Sequence, residues 1–185
     1  SGGGWSGTDL RRMNTVLEYA DMCEDKEAVT KYTAVTRFFR AFFYFEKVKR
    51  FGDVPWYDIQ LGSADELLYK PRDSRELILT KMLEDLDFAA TWCSKASKYV
   101  NTNVINRYVA LALKSRICLY EGTYRKYHNL NLDGHDANFY LDLAAKAALE
   151  IIEKGPYKLY QTGHPEKDYL TLFAQKDAST EEYIL

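Results

Sequence analysis

The chain has 185 residues, 46% of them hydrophobic and 28% charged, with a net charge of -2. That length suits one domain with a sizeable core, and the near-neutral balance gives no long-range attraction to nucleic acid or to an anionic membrane. The apolar runs fall well short of the roughly 20 residues that span a bilayer, and the opening SGGGWSG has neither the basic nor the apolar region of a signal peptide.

In chain order, Thr8 is placed to N-cap a first helix over 8–24, with Leu10, Met13, Leu17 and Ala20 on one face. A second helix is predicted over 26–50. Six aromatic residues crowd into eight of its positions: Phe38, Phe39, Phe42, Phe43, Tyr44 and Phe45. The helical spacing of Phe38, Phe39, Phe42 and Phe45 assigns them to core packing on more than one side. Arg37, Arg40, Glu46, Lys47, Lys49 and Arg50 interrupt or bracket the run, so it does not cross a bilayer. Gly52 and Pro55 end the helix.

Residues 56–72 read as loop, with Gly62, Ser63 and Pro71 and no clear period. Asp73 or Ser74 opens a third helix, with Glu76 placed for a capping box on Asp73; Leu79, Met82, Leu86, Ala89 and Cys93 mark its apolar face. A polar loop over 94–103 leads to a fourth helix over 105–121, which Gly122 is expected to end. Another loop, TYRKYHNLNLDGHDANF, precedes a fifth helix over 138–154, and Gly155-Pro156 stops that helix. A short sixth helix covers 166–174, and the closing EEYIL has strand character. The reading is all-α: antiparallel helix pairs stacked as a tetratricopeptide-like right-handed superhelix with long connecting loops, the repeat being degenerate.

Motifs for chemistry are sparse. Cys23, Cys93 and Cys118 are widely spaced, form no Cys-x-x-Cys pair, and read as buried free thiols. His128, His135 and His164 fall in predicted loops, outside any zinc-protease pattern. NLNLDGHDANFY imitates the start of a calcium loop at Asn129, Asn131, Asp133 and Gly134, but its twelfth residue is Tyr140 rather than a bidentate Glu, so it reads as a polar turn. The carboxylates Glu24, Asp25, Glu27 and Glu84, Asp85, Asp87 read as solvated faces rather than an acid–base pair. No catalytic residue, metal site or cofactor follows from these patterns. Trp56 and Tyr57, beyond Pro55 in a loop, are the two candidate ligand contacts, since such rings stack on sugars and also fill cores.

Three stretches carry a family resemblance. Arg37-Phe-Phe-Arg-Ala-Phe-Phe-Tyr-Phe through Phe51-Gly52-Asp53-Val54-Pro55 resembles the aromatic helix and Gly-(Asp/Gly)-Val-Pro exit of the SusD/RagB family of outer-membrane nutrient-binding lipoproteins. Asn106 to Tyr120 is similar to that family's Ala-x-Ala-Leu-x-Ala-Arg helix, and Ala144 to Tyr160 to its alanine-rich helix followed by Gly-x-Tyr-x-Leu. Leu10-Arg11-Arg12-Met13-Asn14 echoes its early Ile-Arg-x-x-Asn; Tyr169 to Phe173 and Glu182 to Leu185 echo later segments.

The resemblance implies a non-enzymatic component that captures a glycan or oligosaccharide for nutrient uptake. Its implied partner is a SusC-like TonB-dependent outer-membrane transporter. It implies a place on the cell surface at the outer membrane, with a lipid anchor on a cysteine upstream of this chain. Family members are much longer, so 1–185 is expected to be one helical SusD-like domain, incomplete relative to the family, as a fragment or truncated product. The alternative, independent of the resemblance, is a helical-repeat scaffold that binds a protein or peptide and no sugar. A glycan-processing enzyme has no motif in its support.

Overall fold

The computed structural model describes residues 6–94, 104–175 and 182–184. Trp5 and nearly all of the predicted loop over 94–103 lie outside them, as do both ends of EEYIL; the described part, 182–184, forms no strand. Six α-helices account for most of the rest: α1 Thr8–Tyr19, α2 Lys26–Phe51, α3 Arg75–Trp92, α4 Arg107–His128, α5 Ala137–Lys154 and α6 Pro165–Phe173. Short 3-10 turns occupy Ala20–Met22 and Glu66–Tyr69. The class is all-α: among the described residues, extended pairing is limited to isolated bridge residues, Val54 with Asp73 among them. Helices α1 to α3 make one compact unit and α4 to α6 a second.

In the first unit the helix boundaries follow from caps. Asp25 accepts hydrogen bonds from the backbone N–H of Glu27 and Ala28 (3.1 and 3.0 Å) and opens α2, an arrangement worth about 1 kcal/mol. Gly52 closes the helix at φ 70°, where its N–H reaches the Val48 carbonyl; glycine adopts that conformation without a Cβ penalty. The expected cap at Thr8 is not formed. Gly7 holds that position and Thr8 is already helical, with no side-chain cap bond. The α-helix also stops at Tyr19, continuing only as the 3-10 turn.

The aromatic run of α2 divides between two environments. Phe38, Tyr44 and Phe45 are buried with Ala34, Ala41 and Val48, whereas Phe39 and Phe42 are each 45% exposed. The assignment of all four phenylalanines to the core therefore fails for two of them: the outward stripe of α2 meets only the short α1. Helices α2 and α3 run antiparallel, as the contacts Arg40 to Asp85 and Arg37 to Phe88 require. Ser74 accepts from the Leu77 N–H and starts α3. Asp73, expected to form a capping box with Glu76, directs its Oδ2 to the Trp56 N–H in the loop before the helix.

The second unit contains an antiparallel pair, α4 and α5, followed by α6. Tyr108 donates to the Lys154 carbonyl (2.5 Å), Ser115 to that of Ala144 (2.9 Å), and Arg125 lies 4.4 Å over the Tyr140 ring. Asn106 caps α4 by accepting from Tyr108 and Val109 N–H, and Asp136 caps α5 by accepting from Phe139 N–H. The expected stop at Gly122 does not occur; α4 runs six residues further, to a left-handed cap at Asn129. Gly122 is there for proximity. A Cβ on it would lie 2.7 Å from Leu141 Cγ and 3.1 Å from the Ala137 carbonyl. His128 is thus helical rather than in a loop, and Asn129 is a helix cap instead of the first position of a calcium loop. Gly155-Pro156 ends α5 as predicted, Gly155 N–H bonding the Ile151 carbonyl.

Of the three thiols, Cys93 and Cys118 are buried and Cys23 is exposed, against the expectation for all three. Burial pushes the Cys93 thiol up to about 11. No helix among the described residues is long and apolar enough to cross a membrane.

The close approach at Gly122 gives a direct test. Gly122→Val forces overpacking between α4 and α5 and is expected to cost about 2 kcal/mol, read as a lowered urea midpoint with an unchanged m-value.

Candidate functional site

The loop that leaves α2 at Gly52 carries both residues singled out as ligand contacts, and three helices hold it. Asn14 of α1 donates through Nδ2 to the carbonyls of Tyr57 (2.9 Å) and Ile59 (3.0 Å). Tyr44 of α2 accepts the Tyr57 N–H at its phenolic oxygen (2.7 Å) and donates to the Pro55 carbonyl (3.3 Å). Asp73, just ahead of α3, accepts the Trp56 N–H (2.7 Å), and Asp53 accepts the Arg75 N–H (2.9 Å). Gln60 is tied to α1 twice, through the Thr15 hydroxyl and the Glu18 carboxylate. The loop therefore satisfies its backbone without a sheet, which buried peptide groups require.

Behind it lies a charge cluster. Asp85 is 1% exposed and receives Arg40 in a fork, Nε to Oδ2 at 2.7 Å and Nη2 to Oδ1 at 2.8 Å, while Arg37 approaches Oδ1 at 2.9 Å. Arg40 also donates to Asn14 Oδ1 (3.4 Å). Asp85 is thus not part of a solvated acidic face, as its neighbours in sequence suggested; burial beside two guanidiniums gives it a structural task. Glu84 and Asp25 have separate local roles, pairing with Lys81 and capping α2. The signal for Arg40 was present in the sequence: a cation in the middle of an otherwise aromatic helix face needs a buried acid. Nothing in local pattern marked Asp85 as that acid.

The two candidate contacts sit differently. Trp56 is 6% exposed, its indole stacked on Tyr44 (centroids 4.3 Å apart, planes 27°) with the Arg40 guanidinium 5.0 Å away. Its ring faces are engaged inside the protein. Tyr57 is half-buried; its hydroxyl donates to the Leu67 carbonyl (3.1 Å), and the Lys70 ammonium lies 5.1 Å from the ring centre. Burial pushes both phenols, Tyr44 and Tyr57, above the ordinary tyrosine value. Tyr57 lines a cleft of about 250 Å³ between the start of α1 and the loop, with Leu10, Asn14, Ile59, Leu61 and Leu68 among its walls. A second groove of about 580 Å³ runs between α1 and α2. Met13, Val16, Phe39, Phe42 and Phe43 form its floor, and charges of both signs stand at its rim.

No three metal-ligating side chains converge among the described residues. His135 stacks flat on Phe139 (3.9 Å, 8°), and His164 begins α6.

Comparison with known proteins follows the same segment. A family model described as SusD-like, starch-binding and associating with the outer membrane, matches residues 4–108. A SusD-like protein from Bacteroides fragilis superposes with a TM-score of 0.72 at 27% identity, over 95% of this chain and 31% of its own. A laminarin-binding SusD-like protein gives 0.61 at 20% identity, over 80% of this chain and 30% of its own. A protein solved with a xylogluco-oligosaccharide gives 0.62 at 20%, over 82% and 28%. The last two establish a shared fold. The chain spans about a third of the length of the structures it matches. No curated protein matches it.

Two outcomes are expected from the cluster and the loop. Asp85→Ala strands the buried Arg40 charge and should cost about 3–5 kcal/mol, measured by urea unfolding. Asp73 titrates below the ordinary aspartate value: burial opposes its charge, but the Lys70 hydrogen bond, the Trp56 N–H and the Lys70 charge outweigh that. Its contribution is therefore complete above about pH 3.9, the unfolded value, and is lost as the pH falls through the lower folded value. Trp56 emission should shift in that acid window, and Asp73→Asn should remove this component of the shift.

Proposed function

The chain belongs to the SusD-like family, and on that premise we propose that it is part of a non-enzymatic glycan- or oligosaccharide-binding component of an outer-membrane nutrient-uptake system. It acts with a SusC-like TonB-dependent transporter, is held at the cell surface by a lipid on a cysteine upstream of this chain, and carries out no catalytic step. Both compact units belong to one SusD-like domain in this reading. The observation that carries it is the family match over 4–108, whose span includes the whole Gly52 to Asp73 loop and the three helices that hold it.

Ligand contact is assigned to Tyr57, with Trp56 behind it. The division follows from burial: Tyr57 lines an open cleft, while Trp56 spends its stacking surface on Tyr44. Trp56 acts by fixing where the following residue emerges from Pro55. The likeness to a laminarin-binding SusD-like protein and to a structure solved with a xylogluco-oligosaccharide supports a carbohydrate as the ligand class. An aromatic face beside aliphatic walls suits the C–H face of a sugar ring.

One feature favours the scaffold reading. The α1–α2 groove presents Asp9, Arg12, Met13 and Val16 from one helix, and Phe39, Phe42, Phe43 and Glu46 from the other. Both sets follow the i, i+3, i+4, i+7 spacing of helix faces that receive a third helix.

The deciding experiment is a glycan array on the full-length protein, with affinity purification from the outer membrane. Glycan binding that falls about five- to tenfold in Tyr57→Ala, with unchanged unfolding, and co-purification of a large barrel protein are expected. If no glycan binds and no barrel co-purifies, the uptake reading is wrong. Binding undiminished in a folded Tyr57→Ala variant removes Tyr57 from the site.

A further inference from the structure

We infer that the cleft beside Tyr57 takes an acidic sugar residue, a pyranose carrying a carboxylate, with Arg11 as the residue that selects it. The inference rests on the glycan-binding reading and specifies the chemistry of its site. Among the described residues, Arg11 is the one ionised side chain lining the cleft. It is exposed and makes no ion pair among the described residues. Its neighbour Arg12 faces the other groove and pairs with Asp9 (3.4 Å), so that acid is turned away from Arg11. Asp58, next to Tyr57 in the chain, is solvent-exposed and does not line the cleft. Glu18 is on the same helix but is engaged with the Gln60 N–H. Lys70, over the Tyr57 ring, is neutralised by Asp73 at 2.7 Å. Among the described residues, the cleft thus holds one uncompensated positive charge.

The remaining walls explain why the anion should be carried on a sugar rather than arrive as a bare ion. Leu10, Ile59, Leu61 and Leu68 give an apolar surface that a small hydrated anion would not use, whereas a pyranose ring covers it with its C–H face. Thr8 and Ser63 place hydroxyls at the edge for ring hydroxyl groups. The guanidinium presents paired N–H donors in a plane that matches a carboxylate. Asn14 keeps the geometry fixed, because its amide is committed to the Tyr57 and Ile59 carbonyls and cannot swing toward the ligand.

The test uses the full-length protein and calorimetric titration with a galacturonic acid trisaccharide, its methyl ester, and a glycan array of neutral oligosaccharides. The free acid is expected to bind about tenfold more tightly than the ester, the increment of one charge-assisted pair. Arg11→Gln should abolish that preference, weakening the free acid by about tenfold and the ester by less; Arg11→Lys should keep part of it. Tyr57→Ala should weaken acid and ester alike. Equal binding of acid and ester by the wild type overturns the inference, as does a preference that survives in Arg11→Gln. Neutral glycans bound through Tyr57 with no acid preference would sink the inference and leave the glycan reading standing. Binding of no glycan at all would sink both.

Discussion

The first unit depends on what must be done with Arg40. A guanidinium in the middle of a buried helix face costs several kcal/mol to desolvate unless an acid meets it there. Asp85 meets it with both oxygens, from the facing helix. The attraction roughly offsets the desolvation, so the pair adds little net stability. Its effect is on alternatives: any slide of α2 against α3 leaves at least one buried charge without its partner. The pair therefore sets the register of the two helices, and that register sets the ends of the loop between them.

Consequences pass outward through polar contacts. Arg40 reaches Asn14, and Asn14 grips the loop at two carbonyls, so the α1 position, the helix pair and the loop backbone are coupled. Tyr44, one turn beyond Arg40, accepts the Tyr57 N–H and carries the Trp56 indole. The second unit solves a similar problem within one helix. Arg125, fully buried, takes Glu121 one turn before it and uses its remaining donors on the His135 carbonyl and Tyr140. That cluster closes the α4–α5 connection, where Gly122 already brings the backbones together.

The legibility of all this in the sequence varied with the range of the interaction. Helices α2 and α5 were readable almost to the residue because Gly52 and Gly155 act on their immediate neighbours. Gly122 misled for the complementary reason: a glycine at a helix stop and a glycine at a helix crossing look alike until the crossing helix is placed. Phe39 and Phe42 failed similarly, since spacing says that a face is apolar but not that a neighbour is long enough to cover it. Asp85 looked like one member of an acidic run, and only the fold brings it to Arg40, 45 positions away. The loop residues Trp56 and Tyr57 were visible as aromatics beyond a proline, while their difference in burial was not, because Tyr44 decides it.

That difference bears on how the loop proposed to bind ligand can be both exposed and defined. A tyrosine on an unanchored loop would lose affinity to the entropy of ordering it. Here Tyr57 follows a residue whose side chain is packed and whose N–H is held by Asp73, and its own N–H and C=O are both taken by helical side chains. Its hydroxyl is used too, on the Leu67 carbonyl. What remains available to a ligand is a ring surface in a fixed orientation and little else from this residue. Such a surface gives contact area without discriminating hydroxyl patterns, so selectivity has to come from the surrounding walls. Among the described walls, only the one that α1 contributes carries a charge; under the proposed glycan reading, sequence changes at Arg11, rather than at the aromatic residues, are the ones that would alter which glycan is chosen.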